Sequence, residues 1–90
     1  MKFTDEELEE LLTINSQAGI LMKSLTYTRE LEEAIFNCMK NKTELETEYI
    51  QKAHNNYLAL FLIGFNYTDN EVFKKLDEYM DTEYRKWKKG

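Results

Sequence analysis

The sequence predicts an all-α fold, a small antiparallel helical bundle of three to four helices forming one domain over residues 1–90, and three observations predict it. The 90 residues include no proline and only three glycines, so the residues that build hairpins and sheet corners are nearly missing. Apolar side chains recur every three or four positions over most of the chain, which is the period of a helix with one buried face. Thr-x-x-Glu stands ahead of three such stretches, at Thr4 to Glu7, Thr43 to Glu46 and Thr68 to Glu71. In this pattern the Thr hydroxyl accepts a bond from the third helical N–H, and the Glu carboxylate accepts one from the backbone N–H of the Thr.

The first helix starts at Thr4, with Phe3 and Leu8 at the spacing of an apolar pair that closes over a helix entry. From there Leu8, Leu11, Ile14, Ala18, Leu21, Leu25, Thr28, Leu31, Ile35 and Cys38 keep helical register. A single helix of about 35 residues would outrun a domain of this size, so the chain must turn. Asn15 to Gly19 and Ser24 to Thr28 are the two weak places, and the second is favoured, at Thr26 to Thr28, because the stripe continues unslipped through Ser16. Asn41 and Lys42 end the next helix. Thr43 caps the third, whose stripe of Leu45, Tyr49, Ala53, Tyr57 and Leu60 runs to Gly64, placed for a left-handed close. The last helix runs from Asp69 to about Lys88 behind the Thr68 cap and a Tyr67–Val72 apolar pair. Phe73, Leu76, Met80 and Trp87 face inward, and Glu71–Lys75 and Asp81–Arg85 pair outside. No repeat, low-complexity tract or linker divides the chain.

Composition sets limits on function. Charged residues at 32% and apolar ones at 42% describe a folding globular chain. At this length only about 60–65% of the unfolded surface is buried, which leaves a core too small for a deep enclosed cavity; no cofactor is expected. The net charge of −5 is uneven: residues 1–50 hold 5 basic and 11 acidic side chains, a balance of −6, and residues 51–90 hold 7 and 6, a balance of +1. The single cysteine, Cys38, has no internal partner and no basic-then-apolar leader precedes the first helix, so an intracellular, cytoplasmic protein is expected. Asn41-Lys42-Thr43 and Asn66-Tyr67-Thr68 match glycosylation acceptors, but in that setting their threonines are better used as helix caps. The longest apolar run, Tyr57 to Phe65, has nine residues against the roughly 20 a membrane span needs, so no membrane partner is expected. Phe, Tyr, Met, Ile, Asn and Lys number 37 while Gly, Ala, Arg and Pro number 9, the bias of an AT-rich genome such as that of a low-GC bacterium or its phage.

Few residues invite catalysis. His54, the only histidine, sits among Gln51, Asn55 and Asn56, with no orienting partner and no further zinc ligands in reach of the sequence. It reads as a histidine on a partly exposed helix face. No Glu-x-x-His pair marks a di-iron bundle, and no metal is expected. Cys38 reads as a buried structural thiol, and no glycine-rich loop is present to hold phosphate. The chain is therefore not expected to be an enzyme.

Binding features are more prominent. Carboxylates crowd the starts of helical stretches, where the helix dipole accounts for most of them; the sharper alternative is an acidic row imitating nucleic-acid phosphates. Arg85, Lys86, Trp87, Lys88 and Lys89 form a basic tail. Its plain reading is cations at a helix C-terminus with Trp87 as the last core residue, and its functional reading is a polyanion contact, nucleic acid above all. The segment from Leu58 to Phe65 is apolar on every side of a helix and needs cover all round, either by the rest of the bundle or by a partner protein or second copy. Leu58, Phe61, Leu62 and Phe65, with Tyr57, are the candidate protein-binding or dimer contacts. The expected function is thus a small protein–protein interaction module, a regulator or inhibitor of another protein, with nucleic-acid binding through the basic helix as the alternative.

Overall fold

Where each helix begins and ends follows from which backbone groups find a partner at its ends. The structure, a computed structural model, describes residues 2–23 and 25–90, with residues 25–27 described in their backbone alone. It contains four helices: α1 (Asp5–Met22), α2 (Leu25–Asn41), α3 (Thr47–Ile63) and α4 (Glu71–Lys89), and no strand is present among the described residues. The predicted all-α bundle is what the chain forms.

Thr4 caps α1 as predicted. Its hydroxyl accepts from the Glu7 N–H at 3.1 Å, and the Glu7 carboxylate accepts from the Thr4 N–H at 2.8 Å. Phe3 and Leu8 are both buried beside that entry. The first turn falls earlier than the sequence suggests: Lys23 takes a left-handed conformation (φ 52°) and its N–H bonds to the Gly19 carbonyl. Thr28 cannot belong to the turn because it is buried inside α2, with its carbonyl accepting from Asn15 Nδ2 at 2.8 Å. Ser24 and the side chains of Leu25, Thr26 and Tyr27, which enter the prediction, lie outside the described residues.

Two predicted caps are not used. Asn41 does end α2, and Lys42 (φ 56°) lets the Thr43 N–H reach back to the Cys38 carbonyl. Residues 43–46 then run on without helical structure, α3 begins at Thr47, and its N-cap Glu46 makes no side-chain cap bond. The non-helical run delivers Leu45 into the core, so its predicted inward place holds although the helix expected to carry it starts later. Before α4, Thr68 spends both its N–H and its hydroxyl on Asn66 Oδ1, at 3.0 and 2.8 Å, and the helix starts two residues later on Asn70, whose Oδ1 accepts from the Phe73 N–H at 2.9 Å. At the other end of α3, Gly64 closes the helix as expected with φ 126°, and the Phe65 N–H bonds to the Leu60 carbonyl.

Sequential helices run antiparallel. Asp5–Lys42 and Asn15–Thr28 pair α1 with α2, Glu30–Lys52 pairs α2 with α3, and Thr47–Tyr79 and His54–Asp77 pair α3 with α4. It follows that α1 and α3 run parallel and end at the same end of the bundle. The core between them gathers Leu11, Ile14 and Ala18, Leu31 and Ile35, Ile50, Tyr57 and Leu60, and Leu76. Through it passes a polar seam in which Asn56 Nδ2 donates to Asn15 Oδ1 at 2.9 Å and Asn15 in turn donates to α2. α1 and α2 touch closely at Gly19, where a Cβ would stand 2.6 Å from the Thr28 methyl.

α4 departs from prediction in two ways. Lys75 does not pair with Glu71; its ammonium donates to both Glu7 carboxylate oxygens at 3.0 and 3.2 Å and to the Lys2 carbonyl at 2.8 Å, and lies over the Phe3 ring. The helix is thereby tied to the N-terminal segment. Trp87 is not the last core residue, because α4 passes its partner: Tyr79 already meets Thr47, the first residue of α3, and Trp87 is 76% exposed. Asp81 and Arg85 pair at 3.0 Å as predicted. The radius of gyration of 12.9 Å, against about 12 Å for a compact chain of this length, reflects that projection.

Candidate interaction surfaces

The apolar segment of α3 is helical as far as Ile63, and the bundle covers only part of it. Leu60 is fully buried, while Leu58, Phe61, Ile63 and Phe65 are substantially exposed and Leu62 is 85% exposed. Tyr57, grouped with them from sequence, belongs to the core instead: it is buried, edge-on to Tyr67 and stacked with Phe73. Burial first, and then the negative charge of Glu10, push its phenol far above the ordinary tyrosine range. The physical reason for the split is helical phase. Tyr57 and Leu60 continue the inward stripe of Ile50 and Ala53, and the side chains on the outer face of the same turns are left half-exposed or exposed.

A second apolar group stands at that end. Ile20 is 72% exposed, and Leu21 and Met22 are exposed beside it on the last turn of α1. Because α1 and α3 run parallel, these side chains and Leu62 and Ile63 share one end of the bundle. The spacing predicts Leu21 inward, and its exposure, with that of Ile20 and Met22, departs from that expectation. The signal was there: Ile20-Leu21-Met22 is a run of three, and three consecutive apolar residues cannot all face one side of a helix.

At the opposite end the exposed close of α4, from Tyr84 to Lys89, runs for about 9 Å at the rise of an α-helix. Met80, Tyr84 and Trp87 recur at four and three positions and so extend the face that carries Phe73 and Leu76 into the core; the Tyr84 and Trp87 rings lie 6.0 Å apart. Arg85, Lys86, Lys88 and Lys89 are exposed around them. Arg85 is held by Asp81, and Lys86 reaches Glu83 at 3.5 Å.

Also at this end is an open cleft of about 290 Å³ between the C-terminal half of α2 and the connection into α3. Ala34, Cys38, Leu45 and Tyr49 form its apolar lining and Glu30, Glu33, Glu44 and Glu46 its acidic walls. Glu30 accepts from Lys52 Nζ at 2.6 Å; that bond and charge hold the carboxyl below its usual range and raise the lysine above its own. Cys38 is buried, as the sequence suggests.

His54 gains the partner that the sequence could not name. Its Nε2 lies 3.2 Å from Asp77 Oδ1 and its ring stacks on Phe73, so the imidazole is fixed in position between α3 and α4. The pair could orient a proton carrier, but it does not line the acidic cleft, and its contacts are those of a bridge between two helices. Among the described residues no group of three or more His, Cys, Asp or Glu is arranged to hold a metal ion, and no helix is long and apolar enough to cross a membrane.

Comparison with protein-family models, with curated proteins and with solved structures finds no match.

Proposed function

We propose that this chain is a protein–protein interaction module that docks through the apolar end made by the last turns of α1 and α3, and that by docking it regulates or inhibits the protein it binds. The observation that carries this reading is the exposure of Leu62, Ile20, Ile63 and Phe61 together at one end of a domain with a complete core of its own. Contiguous apolar surface beyond a few hundred Å² is uncommon on a monomer and marks contact sites. The projecting basic helix supports a different reading, nucleic-acid binding, since Trp87 and Tyr84 are free to stack. Four cations, two of them paired with Asp81 and Glu83, on an acidic chain favour it less.

The test compares the wild type with Leu62→Glu as immobilised bait against extract of a low-GC bacterium. Leu62 is almost fully exposed, so the substitution should leave the thermal melt nearly unchanged. A protein retained by the wild type and lost by the variant, then reconstituted with purified components, supports the reading. Identical retention by both would remove the apolar end as the contact.

A further inference from the structure

We propose that two copies of this chain pair by exchanging the ends of α4, the Tyr84–Trp87 turn of each copy seated in the acidic cleft between α2 and the start of α3 of the other. This surface is distinct from the apolar end, and the inference does not depend on the function proposed above.

Three observations meet here. The first is that α4 continues an amphipathic face past the point where its own bundle can cover it. Met80, still packed against the core, and the exposed Tyr84 and Trp87 hold the same side as Phe73 and Leu76, but the partner helix stops at Thr47, opposite Tyr79. Anchors at such spacing on a helix are the form in which helices dock into grooves, and Trp and Tyr are the side chains that carry most binding energy at interfaces.

The second is the distribution of charge. Residues 80–90 hold 4 cations and 2 carboxylates, while residues 1–79 hold 8 and 15, a balance of +2 against −7. Lys88 and Lys89 pair with no carboxylate among the described residues. The surface that complements this tail is therefore acidic and apolar at once, and the cleft is both: Glu33, Glu44 and Glu46 stand over Ala34, Leu45 and Tyr49. At about 290 Å³ it lies at the small end of ligand sites, suited to a large side chain more than to a metabolite.

The third is position. Tail and cleft lie at the same end of the molecule, so one two-fold axis can bring each tail to the other copy's cleft in a closed, self-complementary contact. Electrostatic complementarity sets the register and speeds encounter. A nucleic acid would meet the same tail, but it would also meet the acidic body beside it.

Trp87 is the only tryptophan, so it reports its own docking. Sedimentation and light scattering over rising concentration in low salt should show an approach to about twice the monomer mass, with Trp87 emission moving to shorter wavelength in step. Lys88→Glu with Lys89→Glu, or Glu33→Lys with Glu46→Lys, should each abolish both changes, and the two sets combined should restore them, which a fold defect could not do. Leu62→Glu should leave the pairing intact, which separates it from docking at the apolar end. The proposal is overturned by a monomer with unchanged emission at every concentration, by a dimer indifferent to the reversals, or by a monomer whose emission shifts only when a nucleic-acid oligomer is added.

Discussion

Glu7 serves two structures at once, the cap of α1 and the ammonium of Lys75 on α4. Burial works against its charge, but the Thr4 N–H and the bond and charge of Lys75 outweigh that and hold the carboxyl below its usual range. A carboxyl depressed in the folded state contributes stability above its unfolded pKa, and that contribution is lost as the pH falls through the folded value. Glu7→Gln should therefore lower the melting temperature at pH 7, and the gap to the wild type should close as the pH drops below about 4.5, read by circular dichroism at a series of pH values. Gly19 is the second residue whose role is set by a neighbour distant in sequence. Alanine gains roughly 1 kcal/mol over glycine within a helix, but overpacking a tight contact costs about 1–3 kcal/mol, and here the added carbon meets the Thr28 methyl. Gly19→Ala should destabilise in a denaturant titration, and Gly19→Ala with Thr28→Ser should recover part of the loss. From sequence Gly19 was visible only as a weak point in a helix. That it is a tight contact between two helices depends on a partner nine residues away that no local pattern reveals.

At the scale of elements the sequence reading was right about periods and less right about ends. The stripes of α1, α2 and α3 are buried where the spacing puts them, from Leu8 to Ala18, at Leu31 and Ile35, and at Ala53, Tyr57 and Leu60, but α3 buries Ile50 where the spacing puts Tyr49, which is half-buried. The capping motif marks only a residue able to cap, and at Thr68 a nearer claim decided the matter: Asn66 takes the threonine and Asn70 takes the helix. Asn70→Ala should accordingly cost about 1 kcal/mol, with more from its lost bond to Glu10, whereas Thr68→Ala should cost a small fraction of that. α4 makes the same point for packing. Its stripe was legible as far as Trp87, but the length of the helix beside it was not, because that length depended on where α3 began. In thermal melts Trp87→Ala should change stability by less than about 0.5 kcal/mol, while Phe73→Ala, which removes the ring against Tyr57 and His54, should cost about 3 kcal/mol.

The whole molecule sets an apolar end against a net charge of −5. The apolar run of α3 could be read from the sequence, and so could its need for cover, but which turns stay bare depends on three antiparallel connections bringing the ends of α1 and α3 together. At neutral pH the net negative charge opposes contact between apolar ends, which carry no complementary charge of their own, and that repulsion vanishes near the isoelectric point of about 4.9. Apolar surface that is held off by charge alone should then drive association. Scattering at fixed concentration should rise as the pH is lowered from 7 towards 5 and should fall again when carboxylates are placed in the end itself, as in Ile20→Glu with Leu62→Glu. Carboxylates placed there must be desolvated by any contact, so the pair should hold scattering near its neutral-pH level, and the slightly lower isoelectric point acts in the same direction. A matched control, with two glutamates added at exposed lysines of the opposite end, carries at least the same change in net charge. Equal protection by both variants would mean that net charge governs association, and that the exposed ends of α1 and α3 play no part in it.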